Sequence, residues 1–404
     1  MIGKEFFKAG HTPTLASAFF YFDMSFMVWV LLGSLGVQIA KDLDLNAAEK
    51  GLMVALPVLA GALLRIVNGV LVDRIGPKRA GTLCQIIVIV GLLIAWMLKV
   101  DTYAGVLAVG LVLGVAGSSF AIALPLASRW YPPQYQGVAL GIAGAGNSGT
   151  VFASLFAPGL ANLFGWQNVL GLATIPLIVA FLVYLVFAKD SPDQPAPKPL
   201  TEYLSVLKIG DAWWFMLFYG VTFGGFVGLS SSLTIYFNTQ YGLAPVMAGF
   251  FTAACVFAGS MVRPIGGALA DRIGGIRTLS IMYVVAAAAL TVMSFGMADV
   301  RVTLAVVICG MAALGMGNGA VFQLVPQRFR NEIGVMTGLV GMTGGIGGFY
   351  LASSLGLAKQ LTGSYQAGFL GFAALALVAL VGLTSIKKQW RTTWGAASAT
   401  VARV

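Results

Sequence analysis

Long apolar runs recur twelve times along the 404-residue chain, each separated from the next by a short polar or glycine-containing connection. An apolar run of about 20 residues spans the hydrocarbon core of a bilayer when it is helical. The pattern therefore predicts twelve transmembrane helices, near residues 14–40, 49–72, 80–98, 104–128, 137–163, 168–188, 210–237, 246–270, 278–297, 302–325, 334–358 and 365–386.

One connection is longer than the others. Residues 189–209 carry four closely spaced prolines, at positions 192, 195, 197 and 199, which is typical of an extended polar linker. The linker divides the chain into an N-terminal six-helix bundle, residues 1–188, and a C-terminal six-helix bundle with a short tail, residues 210–404. The predicted fold class is an all-α membrane protein built from two such bundles.

Composition supports a membrane location. Hydrophobic residues make up 58% of the chain and charged residues only 9%, whereas a soluble domain carries roughly a quarter charged residues. The net charge of +10 does not indicate a nucleic-acid partner, because the cations gather on one side of the predicted helices. With both termini cytoplasmic, 17 of the 24 Lys and Arg residues lie on the cytoplasmic side and five on the other. This asymmetry predicts that orientation, and it leaves only Arg65 and Arg263 inside the helices.

The two halves of the chain repeat each other. Residues 65–79 read RIVNGVLVDRIGPKR, and residues 263–277 read RPIGGALADRIGGIR, with matching positions 198 apart. The glycine-rich stretch at 137–149 matches the stretch at 334–348 with nearly the same offset. Duplicated bundles of this kind are suited to alternating access, in which the halves rock about a site near the middle of the membrane. We therefore expect the two bundles to be pseudo-symmetric.

The loops G-x-x-x-D-R-x-G-x-x-R after the second and eighth helices resemble the signature loop of the major facilitator superfamily. The stretches GIAGAGNSG and GMTGGIGG in the fifth and eleventh helices resemble the paired signatures of its nitrate/nitrite porter family. The similarity runs from YFDMSFMVWV at 21–30 to LVPQRFRNEIG at 324–334, and is greatest to bacterial transporters of nitrate assimilation. It implies the major facilitator fold, a bacterial inner membrane, nitrate and nitrite as cargo, a monomer, and no cofactor.

Arg65 and Arg263 are the main candidate binding residues. An arginine in the middle of a transmembrane helix costs at least ~2.5–3.5 kcal/mol, and neither arginine has an Asp or Glu within one helical turn in the sequence. Two planar guanidiniums directed at one cavity are suited to a planar oxyanion such as nitrate, which Lys could not bind in the same geometry. The alternative is that each arginine pairs with a carbonyl or a distant carboxylate and holds helices together.

The resemblance to the nitrate porters implies further contacts with the anion. Asn147 is expected to donate its amide, Tyr219 its hydroxyl, and Phe120 and Phe223 are expected to enclose the anion between their rings. A hydrogen bond between helices is the alternative role for Asn147. Ordinary helix packing is the alternative for the two phenylalanines.

The glycines of the two signature stretches are expected to let helices approach closely, either to slide during rocking or as static packing. They are Gly141, Gly144, Gly146, Gly149, Gly338, Gly341, Gly344, Gly345, Gly347 and Gly348. The repeated loops are predicted to act as conformational gates through ion pairs, or to serve only as topogenic positive charge. Their charged residues are Asp73, Arg74, Arg79, Asp271, Arg272 and Arg277.

Of two acidic residues in or next to the predicted helices, one has an open role and the other is predicted to be structural. Asp23, about nine residues into the first helix, either carries a coupling proton or has a structural role as a cap or ion-pair partner. Asp211, before Trp213 and Trp214, is expected to cap the seventh helix. Two fixed positive charges in one cavity favour nitrate/nitrite exchange, whereas an assimilatory role favours proton-coupled uptake, so the choice between the two stays open.

Other classes of function fit less well. The stretch GAGNSG matches a dinucleotide motif, but no strand precedes it. A membrane enzyme would need a metal cluster or a nucleophile–base pair, and the sequence shows neither. A sensor would need a soluble domain, for which the tail is too short. A sugar site would need more polar donors than these helices carry. Another small organic or inorganic anion is the remaining alternative cargo.

Overall fold

The computed structural model describes residues 4–192, 201, 205–329 and 332–397, and within them the regular secondary structure is helical. In the N-terminal half, the helices are α1 (Lys4–Ala9), α2 (Thr12–Trp29), α3 (Leu31–Ser34), α4 (Gly36–Asp42), α5 (Ala47–Ile75), α6 (Pro77–Met97), α7 (Tyr103–Gly117), α8 (Phe120–Ser128), α9 (Pro133–Gly144), a 3₁₀ turn (Ala145–Ser148), α10 (Gly149–Phe164), α11 (Trp166–Leu172) and α12 (Thr174–Phe187). In the C-terminal half they are α13 (Gly210–Tyr241), α14 (Pro245–Met261), α15 (Arg263–Ile273), α16 (Gly275–Ser294), α17 (Val300–Arg328), α18 (Ile333–Thr362), α19 (Gln366–Thr392) and α20 (Trp394–Ala397).

The predicted all-α membrane fold is confirmed. Eleven helices in the described part of the chain are long and apolar enough to cross a membrane. The first apolar run is divided at Val30 and Leu35 into α2, α3 and α4, so the count of twelve spans stays a prediction. Most of the predicted linker, at 193–200 and 202–204, lies outside the described residues, as do three of the cations in the charge count: Lys198, Arg330 and Arg403.

Local sequence signals explain where α5 and its repeat partner begin and end. A capping box starts α5, with Asn46 accepting from the Glu49 backbone and Glu49 accepting from the Asn46 backbone. Gly76 and Gly274 end α5 and α15 with φ of 86° and 99°. Only glycine adopts such values without strain, so the glycine of each repeated loop makes the sharp turn into the next helix.

The two halves pack against each other on the side of the membrane opposite the Asp73 and Asp271 loops, here called the distal side. There α5 packs along α18, α3 against α13, and α10 against α14. A Cβ atom on Gly51 would lie 2.8 Å from the Cα of Gly356, and the Ala47 amide donates to the Gln360 side chain at 3.1 Å. Backbone contact between small residues thus closes the distal ends.

Candidate functional site

Arg65 and Arg263 lie at the centre of the molecule, one on each half. Arg65 is fully buried in α5, whereas Arg263, the first residue of α15, is partly exposed. The two guanidiniums contact one group of aromatic rings. Arg65 packs on the Phe223 ring, which stacks on Tyr219, and the Tyr219 hydroxyl lies 3.4 Å from the Arg263 Nη2. In the described part of the chain, neither forms an ion pair with a carboxylate.

The Arg65 guanidinium is held by carbonyls and aromatic rings. Its Nε and Nη2 donate to the Gly117 carbonyl at 3.4 and 3.3 Å, and its Nη1 donates across the two halves to the Gly341 carbonyl. The rings of Phe120 and Phe223 each lie 5.0 Å from its Cζ, within the range of a cation–π interaction. A guanidinium has five N–H groups, and these three contacts leave two for a ligand.

Arg263 lies at a break between helices. Pro264 follows it and lacks a backbone N–H, so the helix is interrupted between Met261 and Arg263. The Nη2 of Arg263 makes a long 3.4 Å hydrogen bond to the Tyr219 hydroxyl, and its Nη1 is buried with no partner among the described residues. Arg263 therefore still has N–H groups to offer a ligand.

Aromatic rings connect the two arginines. Tyr219 and Phe223, one turn apart on α13, stack at 5.1 Å with an interplanar angle of 5°. Phe322 of α17 lies 5.0 Å from the Tyr219 ring and 5.9 Å from the Phe120 ring, and 5.6 Å from the Arg263 guanidinium. Sequence reasoning missed Phe322. The internal repeat was the one sequence feature that could have indicated Phe322. At the offset of 198, Phe322 corresponds to Leu124, which lies one helical turn after Phe120.

Asn147 is fully buried, and neither atom of its amide has a partner among the described residues. It lies in the 3₁₀ turn that joins α9 to α10. Three residues earlier, a Cβ on Gly144 would lie 3.8 Å from the Cζ of Arg263. The turn therefore runs beside the arginine of the other half.

Asp23 holds this turn in place. It is almost completely buried in α2 and accepts a hydrogen bond from the Ser148 hydroxyl at 2.7 Å. Gly149 and Gly146 bring the turn against α2, since a Cβ on Gly149 would collide with the Asp23 carbonyl and one on Gly146 with Phe22. Asp23 thus contacts the residue that follows Asn147, a link that no sequence signal indicated.

The signature glycines of α18 face the site and its supporting helices. A Cβ on Gly341 would lie 3.4 Å from Arg65 and Phe120, and one on Gly344 2.8 Å from Phe223 and Tyr219. Gly345 faces Ala62 on α5, and the next two, Gly347 and Gly348, face Gly220 and Val227 on α13. By contrast, a Cβ on Gly141 or Gly338 would meet no atom of the described residues within 4 Å. The prediction that the signature glycines let helices pack closely therefore holds for most of them, but not for Gly141 and Gly338.

The two repeated loops differ in their ion pairs. In the N-terminal half, Asp73 pairs with Arg129 at the end of α8, at 2.8 Å. The side chains of Arg74, Arg79, Asp271 and Arg277 form no ion pair with a described residue, whereas Arg272 does have an interaction partner.

The C-terminal half uses a different acid. Arg328 at the end of α17 pairs with Asp211 at 2.5 Å, and Trp390 donates to the same carboxylate at 2.8 Å. The prediction that Asp211 caps its helix is therefore wrong. The cap is Ile209, and Asp211 in the first turn joins α13 to α17 and α19.

Comparisons with known proteins agree with this architecture. The sequence profile of the Major Facilitator Superfamily matches residues 15–352. The chain is 34% identical over 361 residues to the nitrite extrusion protein of Bacillus subtilis (strain 168), covering 88% of this chain and 89% of the relative. It is 33% identical over 383 residues to the probable nitrate/nitrite transporter NarK2 of Mycobacterium tuberculosis (strain CDC 1551 / Oshkosh), covering 92% and 95%.

A solved bacterial homologue of the human lysosomal transporter Spinster, in an inward-facing and occupied conformation, shares the fold. The TM-score is 0.71 at 17% sequence identity, and the match covers 93% of this chain and 97% of the other. The superfamily and these relatives are transporters and not enzymes. The chain belongs to the major facilitator superfamily and, within it, to the nitrate/nitrite porter family.

Proposed function

We propose that this protein transports nitrate and nitrite across the bacterial inner membrane by alternating access, as a monomer. The observation that carries the proposal is the pair of guanidiniums, one from each half, that contact one connected group of aromatic rings without a carboxylate partner among the described residues. Two uncompensated positive charges in a low-dielectric site favour a bound anion strongly. The names of the relatives support nitrate and nitrite as that anion.

The surrounding groups favour a small planar anion. Unused N–H groups of Arg65 and Arg263 and the unpaired amide of Asn147 supply donors. The rings of Phe120 and Phe223 both lie against Arg65, and a flat anion inserted between these rings would be desolvated on both faces. The close packing of Gly341 and Gly344 on the same groups limits the volume. Together these features favour a small planar anion over bulky cargo.

The charge of the site favours exchange. An empty site holds two guanidiniums on one group of rings with no carboxylate partner among the described residues. Their mutual repulsion opposes the rocking step that resets the transporter. A bound anion removes that repulsion in both directions of transport. When nitrate moves in and nitrite moves out, an anion therefore neutralises the two guanidiniums during each rocking step.

The proposal includes the membrane arrangement. The broken segment α2–α4 serves as the first of twelve spans, and the chain divides into bundles at 1–188 and 210–404, joined by a cytoplasmic linker at 189–209. Both termini are cytoplasmic because most Lys and Arg residues lie on that side. The distal side defined above is then the outer face of the membrane.

A transport assay in liposomes tests the function. Purified protein is reconstituted, and uptake of labelled nitrate is measured with nitrite inside, with a pH gradient, and with neither. We expect uptake into protein-containing liposomes to be at least tenfold faster with internal nitrite than with neither nitrite nor a pH gradient. No nitrate uptake under any of the three conditions contradicts the proposed cargo.

Proton-coupled uptake is the second candidate, because Asp23 is a buried carboxylate in contact with the turn that carries Asn147. We expect Asp23→Asn to retain nitrate/nitrite exchange within about threefold, because an amide oxygen can still accept the Ser148 hydrogen bond, at ~1 kcal/mol less. Ser148→Ala is the matched control, since it removes the same hydrogen bond and leaves the carboxyl group.

The two variants separate the roles of Asp23. If Asp23 only positions the turn, both variants change transport by a similar factor and neither changes its response to a pH gradient. If Asp23→Asn abolishes uptake driven by a pH gradient while Ser148→Ala does not, proton coupling through Asp23 replaces exchange as the mechanism.

A further inference from the structure

Asn318 of α17 is a second buried amide that the proposed site does not yet use. It is fully buried, and both its Nδ2 and its Oδ1 have no hydrogen-bond partner among the described residues. A buried unpaired amide costs about 1–3 kcal/mol, and such groups are rare enough in proteins to need a reason. Binding a ligand is one such reason.

The neighbours of Asn318 show which way it faces. Gly317, one residue before, lies against Thr222 of α13, and Gly319, one residue after, lies against the backbone of Arg263 in α15. Successive residues of an α-helix are about 100° apart. Asn318 therefore faces the space between α13 and α15, the helices that carry Tyr219 and Arg263.

Phe322 fixes the level of Asn318 along the helix. It follows Asn318 by four residues and so shares its face of α17. Its ring contacts Arg263, Tyr219 and Phe120. Along the axis of α17, the backbone of Asn318 therefore lies one turn, about 6 Å, from that of Phe322, on the distal side.

The internal repeat gives an independent indication. Asn318 lies 198 residues after Phe120, the same offset that relates Arg263 to Arg65. The Phe120 ring packs 5.0 Å from the Arg65 guanidinium. Asn318 thus occupies, in the C-terminal half, the repeat position that Phe120 occupies beside Arg65 in the N-terminal half.

We propose that Asn318 donates its amide to one oxygen of the bound anion and so sets the preference for nitrate over nitrite; this rests on the function proposed above. Nitrate has three oxygens in a plane and nitrite has two. The two guanidiniums, from opposite halves, engage two of the oxygens, and Asn318 engages the third. Nitrite lacks that oxygen, so the Asn318 amide stays unpaired when nitrite is bound. A site built to hydrogen-bond one group of a ligand discriminates strongly against an analogue without that group.

Asn318→Leu tests the assignment, because leucine has a similar shape and no polar atom. We expect the dissociation constant of the purified protein for nitrate, measured by calorimetry, to rise by about tenfold or more, corresponding to the loss of one hydrogen bond to a charged group. The constant for nitrite should change by less than about threefold. Without anion, the melting temperature should stay the same or rise, because an unpaired buried amide has been removed.

Gln85→Met is the control, because Gln85 of α6 is a buried amide that has hydrogen-bond partners, the Ser25 hydroxyl of α2 and the Leu177 carbonyl of α12. It should lower the melting temperature and leave the ratio of the two dissociation constants unchanged. If Asn318→Leu behaves like this control, or weakens nitrate and nitrite equally, the assignment of Asn318 is overturned while the transport proposal stands. If the unaltered protein binds neither anion, the transport proposal fails instead.

Discussion

Replacing Arg65 with Lys is expected to reduce nitrate uptake by more than about 100-fold, although the protein still inserts into the membrane. The guanidinium binds the Gly117 and Gly341 carbonyls through three different nitrogens and retains two N–H groups for the anion. A lysine ammonium has three donors on one atom and cannot reproduce that arrangement. The loss of two charge-assisted hydrogen bonds, at ~1.5–3 kcal/mol each, exceeds a 100-fold change, since 1.4 kcal/mol corresponds to tenfold.

Arg263→Lys is expected to have a similar effect, because Arg263 contributes its Nη1 and its contact with Tyr219. Uptake into liposomes measures the effect, and the amount of protein in the membrane fraction measures insertion. Arg301→Lys is the control, since Arg301 is exposed on the distal side. Near-normal uptake by either site variant would show that the two arginines hold helices together and do not bind the cargo.

The second large effect is expected from Gly345→Val. A Cβ at this position would lie 2.5 Å from the Cβ of Ala62 on α5, which is far inside van der Waals contact. The added side chain forces α18 away from α5 on the distal side of Arg65, so the closed distal conformation is lost. Overpacking of this kind costs about 1–3 kcal/mol, and we expect transport to fall by more than about tenfold.

Labelling identifies the cause of this loss. Ser232, buried beside the distal contact between the halves, is replaced with Cys and treated with a membrane-impermeant maleimide. In the Gly345→Val background the labelling rate should rise, because the distal side stays open. Gly338→Val is the matched control on the same helix, since a Cβ there meets no described atom within 4 Å, and this variant should transport normally. Equal labelling in both backgrounds would rule out a gate at Gly345.

The sequence and the structure contributed differently to the candidate site and to the residues proposed for it. Arg65 and Arg263 were predictable because a charge within an apolar run is costly wherever the helix packs. Phe322 and Asn318 were not, because an aromatic ring or an amide within a membrane helix is common, and only the surrounding helices decide whether it faces lipid, a neighbour or the site. The partner of Asp23 was hidden for the same reason, since Ser148 is 125 residues away in the chain.

Local and periodic features could be read from the sequence alone: the apolar runs, the one-sided distribution of cations, the repeat at an offset of 198 and the arginines within apolar runs. These follow from the solvent that each segment must meet, lipid or water, so they can be found without knowing the fold. The packing of the helices was needed to show that Asp211 pairs with Arg328 instead of capping its helix, and that a Cβ on Gly345, but not one on Gly141, would lie against a described residue. It was also needed to show that Tyr219 bonds Arg263 and stacks on the Phe223 ring that packs on Arg65. Each of these depends on which helix faces carry the chain's few polar groups, and that is fixed by the close packing of distant segments.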